Sequence, residues 1–157
     1  MRILGIDPGT GILGFGIIDS EKGGKAVMVE AGVIRTLSTE SDSRRLLTIY
    51  NELESVIEEH KPTIMSVEKL FFAQNVTTAM TVSQARGVVL LLGEKHGMEL
   101  HEFTPLQIKQ ALTGYGRADK KQVQEMVKIL LGLSEVPKPD DCADALAAAI
   151  VCSITVR

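Results

Sequence analysis

The apolar residues of this chain change their period near residue 40, and that switch narrows the folds open to it. Arg2–Asp7 reads as a short apolar strand, and Pro8-Gly9-Thr10-Gly11 punctuates it. Leu13–Asp19 returns as a second strand, and Glu21-Lys22-Gly23-Gly24 turns into a third near Ala26–Thr36. Three consecutive strands with tight connections predict an antiparallel meander. Beyond it, Leu46, Ile49, Tyr50, Leu53 and Ile57 recur at helical spacing until Pro62. Thr63–Glu68 is then a short strand, Leu70–Asn75 a loop, and Val76–His96 a helix. A strand over Glu99–Thr104 follows, with helices near Pro105–Thr113, Asp119–Leu131 and Asp140–Thr155. A meander followed by strand–helix alternation predicts an α/β fold, with a mixed five-stranded sheet covered by helices on both faces. Periodicity alone does not separate this from other mixed α/β layouts.

With 157 residues and no repeat, low-complexity segment or linker, residues 1–157 are expected to form one domain. No uninterrupted apolar run approaches the ~18 residues of a membrane span. Asp7 falls where the apolar stretch of a signal peptide would continue, so a cytoplasmic protein is expected. Cys142 and Cys152, ten apart on the last helix, are not expected to bridge, and with three scattered histidines they give no zinc-site spacing. The net charge of -3 offers no bulk support for nucleic-acid binding. A local patch is what binds phosphate, however, and clustered carboxylates lower the total. Val88–Leu92 is apolar on every side of its helix, which predicts burial in the core or half-burial in a subunit interface.

Four acids stand at informative positions. Asp7 ends the first strand and Glu68 the fourth; Asp141 and Asp144, three apart, share a face at the start of the last helix. Strand ends beside a helix terminus can gather side chains into one cleft. Like charges at short range raise each other's pKa, a penalty that divalent cations remove. Carboxylates without Cys or His companions suit a hard ion such as Mg²⁺ better than zinc, and two such ions can assist phosphodiester displacement. A structural reading competes: Asp7 is also a good turn former, and Asp140 and Asp141, after Pro139, also suit the cap of the last helix.

Longer stretches carry a family resemblance. Leu4-Gly5-Ile6-Asp7-Pro8-Gly9, Gly14-Phe15-Gly16, Val67 to Asn75, Gln84-Ala85-Arg86-Gly87, Gln107-Ile108-Lys109-Gln110, Gly114-Tyr115-Gly116, Lys121 to Gln124 and Asp141 to Ala147 closely resemble RuvC-type Holliday-junction resolvases. The match runs in order over nearly the whole chain. It implies a ribonuclease-H-like fold, a homodimer and symmetric Mg²⁺-dependent nicking of four-way DNA junctions during recombination and repair. It also implies work alongside the RuvA and RuvB branch-migration proteins. By position it makes Asp7, Glu68, Asp141 and Asp144 the metal-binding catalytic set, with about two ions per site and Mn²⁺ as a substitute, and it selects Asp141 over Asp140. It makes Lys109 and Lys120 phosphate contacts, Lys120 also a stabiliser of the scissile phosphate, and Phe71 a side chain that stacks on an unpaired base. Arg117 and Lys121 extend the patch.

The residues themselves leave alternatives open. Val123, Met126, Val127 and Leu130 predict a buried stripe with Lys120, Gln124 and Lys128 as an exposed row, which is equally a solvated face. Phe71 and Phe72 also suit core packing, and Asn75 suits the cap of the next helix. Two rival functions are an actin-like or sugar-kinase-like ATPase, whose first phosphate loop Asp7 to Gly11 resembles, and a junction binder without turnover. The first needs a second such domain to close over ATP.

Overall fold

The computed structural model describes residues 1–21, 25–69 and 76–156. Its strands are β1 (Arg2–Asp7), β2 (Ile12–Ser20), β3 (Ala26–Arg35), β4 (Ile64–Glu68) and β5 (Glu99–Phe103). Its helices are α1 (Asp42–His60), α2 (Val76–Lys95), α3 (Pro105–Thr113), α4 (Lys120–Leu131) and α5 (Asp140–Thr155). The five strands form one sheet in the order β3-β2-β1-β4-β5. β1–β2 and β2–β3 pair antiparallel, whereas β1–β4 and β4–β5 pair parallel. This is the mixed sheet that the change of period predicts.

Strand alternation divides the core. Ile3 and Ile64 face a cluster completed by α3, α4 and α5, whereas Leu4, Ile6, Met65 and Val67 face one completed by α1 and α2. Both faces of the central strands are therefore apolar, as expected for strands covered on two sides. Both cysteines are buried and free.

α5 is the most deeply buried helix, with ten buried residues running from Cys142 to Cys152, five of them alanines. Small side chains allow it to lie directly on the sheet. A Cβ on Gly5 would fall 2.0 Å from the Ala145 carbonyl, and one on Gly14 would fall 2.2 Å from that of Asp141. Ser66, fully buried on β4, donates its hydroxyl to the Ala148 carbonyl at 2.7 Å. These contacts fix α5 in depth and along its axis.

Of the two placements left open for α2, the domain itself gives half-burial: Val89 and Leu92 are buried, but Leu91 is 61% exposed, as is Met80, and Val76 is 66% exposed. By length and composition α2 could cross a bilayer, yet it packs against α1 and its Arg86 pairs with Glu102 of β5. One expectation needs correction: on α4 the exposed row does not hold. Lys120 is exposed, but Gln124 and Lys128 are half-buried, because the buried stripe runs through Val123, Val127 and Leu131 with Met126 and Leu130 at its margin.

Candidate functional site

Strand geometry brings Asp7 and Glu68 together. On β1, Ile3, Gly5 and Asp7 point to the α5 side of the sheet; on β4, Ser66 and Glu68 do so. β1 and β4 are parallel neighbours with Ile6 opposite Val67, so the next residues, Asp7 and Glu68, leave adjacent strands at the same end. α5 then adds its acids. Ala145 lies over Gly5, and Asp141 is one helical turn earlier, about 6 Å along the axis. Asp7 is two strand residues beyond Gly5, about 6.6 Å along the same direction. The start of α5 therefore hangs over the strand ends that carry Asp7 and Glu68.

That start is not a capped terminus. The N-cap is Pro139, and no side chain makes a capping bond. Asp140 and Asp141 thus occupy the first turn without serving as caps, although their charge is favourable at the positive end of the helix. Asp140 and Asp144 are instead engaged by Lys120, the first residue of α4, whose ammonium lies 3.5 Å from Asp140 Oδ2 and 3.4 Å from Asp144 Oδ2. α4 begins there because Asp119 and Gln122 close a reciprocal capping box. The pairing of Asp140 with Lys120 had no signal in the sequence beyond the adjacency of two acids.

The carboxylates strain one another. Burial, then Glu68, Asp144 and Asp141, push the Asp7 carboxyl up to about 8, with Lys120 opposing. Burial and Asp144 push Glu68 to about 7, against Lys109, Lys120 and a hydrogen bond with Asp7. Asp144 is also raised, chiefly by burial, with Lys120 pulling it back. Burial lowers Lys120, but its two acid partners outweigh that and leave it raised. The Lys109 and Lys120 ammonium groups and a shared proton thus partly compensate at least three half-buried acids.

A cleft of ≈ 220 Å³ opens beside the cluster, lined by Glu68, Asp144, Lys109 and Lys120 with an apolar wall of Pro105, Ile108, Val123 and Ala147. Lys109 therefore reaches the site. Arg117 is exposed in the segment before α4, and Lys121 lines a different groove with Tyr115, Ala118 and Met126. Phe71 and the other residues of 70–75 lie outside the described residues. The apolar wall went unnoticed in the sequence, because Val123 read only as part of the buried stripe of its helix.

A divalent cation suits this donor set. Among the described residues no three His, Cys, Asp or Glu side chains already stand close enough to hold an ion together. All the donors are nonetheless carboxylate oxygens, and their charge is too poorly balanced for the acids to ionise fully near neutrality. A hard oxygen-seeking ion would relieve that imbalance, whereas nothing present would favour zinc.

Comparison with known proteins gives one consistent answer. Residues 3–152 match the family model described as "Crossover junction endodeoxyribonuclease RuvC". The protein of that name from Heliobacterium modesticaldum is 54% identical over 153 residues, covering 98% of this chain and 94% of the relative. That from Brevibacillus brevis is 56% identical over 150 residues, covering 96% and 90%. Among solved structures, Thermus thermophilus RuvC superposes with a TM-score of 0.89 at 37% identity, covering 96% of this chain and 92% of that one. The T. thermophilus protein in complex with a Holliday junction substrate superposes with a TM-score of 0.88 at 34% identity and the same coverage. The yeast mitochondrial Holliday junction resolvase, at 18% identity and a TM-score of 0.70, shares the fold. This chain belongs to the RuvC family of crossover junction endodeoxyribonucleases.

Proposed function

We propose that this chain, acting as a single nuclease domain over residues 1–157, resolves four-way DNA junctions by symmetric phosphodiester hydrolysis. Asp7, Glu68, Asp141 and Asp144 are its metal-binding catalytic residues. The observation that carries this reading is that Asp7 of β1 lies within electrostatic reach of Glu68 of β4 and Asp144 of α5, beside a cleft that Glu68, Asp144 and Lys120 line. When bound there, Mg²⁺ supplies an activated water and stabilises the leaving oxygen, with Mn²⁺ as substitute and two ions as the expected number. Asp7 and Glu68 must release the shared proton for this, and the Lys109 and Lys120 ammonium groups favour that release. Lys120 also faces the charge that develops on the scissile phosphate. Lys109, Arg117 and Lys121 contact the backbone, and Phe71 stacks on an unpaired base at the junction centre.

A junction offers two strands related by near two-fold symmetry, which a C2 homodimer would match with two equivalent sites. The exposed stripe of α2 supports such an interface. Val76, Met80 and Leu91 lie along it with Gly87, where an added Cβ would meet nothing within 4 Å. A glycine inside a helix costs about 1 kcal/mol relative to alanine. Among the described residues no neighbour requires one here, and it allows a second helix to approach closely. The cytoplasm, and the branch-migration proteins RuvA and RuvB, complete the proposed setting.

Asp7→Asn separates binding from chemistry. It removes a ligand charge and no phosphate contact, so Mg²⁺-dependent cutting should fall roughly 10³-fold or more while junction affinity in EDTA stays near the parent's. A variant that loses affinity in parallel would mean that Asp7 holds DNA and not the ion. Lys120→Ala should lose cutting with a smaller loss of affinity.

A further inference from the structure

The turn that follows Asp7 is gripped from α1 by a polar chain that the catalytic reading leaves unused. Thr36, just beyond β3, donates its hydroxyl to the Thr10 carbonyl at 2.5 Å and its amide to the Gly11 carbonyl at 3.0 Å. Arg45, in the first turn of α1, donates Nε to the Thr36 hydroxyl at 2.9 Å. Its Nη2 lies against Gly11, where a Cβ would approach it to 3.3 Å. A half-buried guanidinium thus stands beside the loop that leads from Asp7 into β2.

Its charge is unpaired although the side chain is half-buried. Arg2 is bound to Asp19 and Arg86 to Glu102, but among the described residues no acid lies within ion-pair distance of Arg45. A hydroxyl fixes the orientation of the guanidinium without neutralising it, which leaves the terminal amino groups able to donate to an anion. The Thr10 hydroxyl adds an independent sign: it is buried, with the residue 7% exposed, and has no hydrogen-bond partner among the described residues. A buried polar atom in that state calls for a ligand or a water.

We infer that Arg45, oriented by Thr36, binds a backbone phosphate of the DNA strand that passes over the Pro8–Gly11 turn beside Asp7. This rests on the nuclease reading above. The planar fork of arginine matches the two non-bridging oxygens of a phosphodiester, and Gly11 leaves the backbone uncovered at the point of approach. The site lies on the α1 side of the sheet edge, away from Lys109 and Lys120, so it would hold the strand at a second point and set its direction across the carboxylates.

The test is the salt dependence of binding of the full-length chain to a fluorescent four-way junction in EDTA, where no strand is cut. Losing one phosphate contact lowers the slope of log affinity against log salt by about one, equally on junctions of different sequence. Arg45→Gln should show that decrease and roughly tenfold weaker binding, while its melting temperature falls by only a few degrees, as expected for the lost bond to Thr36. Arg45→Lys should keep the slope and lose several-fold in affinity, because charge remains while the fork is lost. If the Gln variant folds poorly, the Lys variant decides: weaker binding at the parental slope supports the site, and parental affinity overturns it. An Arg45→Gln protein that binds with the parental slope overturns it too, even if cutting is lost, since Arg45 would then only brace the turn. Failure of the parent itself to bind the junction would bring down the nuclease reading, a different result from equal binding by parent and variant.

Discussion

Burial and three neighbouring acids hold a proton on the Asp7 carboxyl up to a pH of about 8, and this has a consequence for stability. In the unfolded chain Asp7 titrates near 3.8, so between that value and about 8 the folded state binds a proton that the unfolded state has lost. Stability therefore falls as pH rises through this window, and Glu68, raised to about 7, acts in the same direction. Asp7→Asn carries no such penalty. In EDTA it should melt higher than the parent at pH 8, by about 3 °C or more, with the gap narrowing at pH 5. Mg²⁺ should then raise the parent's melting temperature and not the variant's. Equal melting of the two proteins at both pH values would show that the acids do not strain one another. At this scale the sequence was informative where residue type and chain position coincide. An acid at the end of an apolar strand before a Gly-rich turn is visible, and so is the three-residue spacing of Asp141 and Asp144. The Thr36–Arg45 bond was not, because it joins a strand exit to a helix start through a loop whose path no periodicity encodes.

Among the elements, α5 decides whether the acids meet. Its contact with the sheet depends on glycines as much as on its own alanines, and Gly14 lies beneath Asp141. Gly14→Ala would force its Cβ to 2.2 Å from the Asp141 carbonyl, so the start of α5 must lift away. Overpacking of this kind costs about 1–3 kcal/mol. The variant should melt lower and cut at least ~10-fold more slowly, through displacement of a ligand and not loss of one. Thermal melting together with single-turnover cutting checks this, and a variant with parental values for both would contradict the packing account. The elements themselves were legible, since short apolar runs between turn signals marked the strands and helical spacing marked the change to helices. Which helices share a sheet face was not, because strands buried on both sides lose the alternation that would reveal it. α2 stayed open between core and interface for a related reason: apolar residues all round a helix say that every side is covered, without saying by what.

For the whole molecule, α2 raises the question of assembly. A strip running from Val76 through Met80 to Leu91 stays exposed on a chain of 17.0 kDa. Light scattering after size exclusion should give twice that mass at micromolar concentration. Leu91→Glu should bring it to the monomer value and reduce paired cutting in favour of single nicks. A parent that stays monomeric would remove the dimer from the account while leaving the carboxylate site intact. The most direct measurement of that site's purpose uses a four-way junction labelled on each strand in turn, compared with linear duplex of the same sequence, with and without Mg²⁺. Paired nicks at symmetric positions, on the junction alone and only with the ion, are the predicted result. Absence of cutting under every condition, cutting in EDTA, or equal cutting of linear duplex would contradict a metal-dependent resolvase centred on Asp7, Glu68, Asp141 and Asp144.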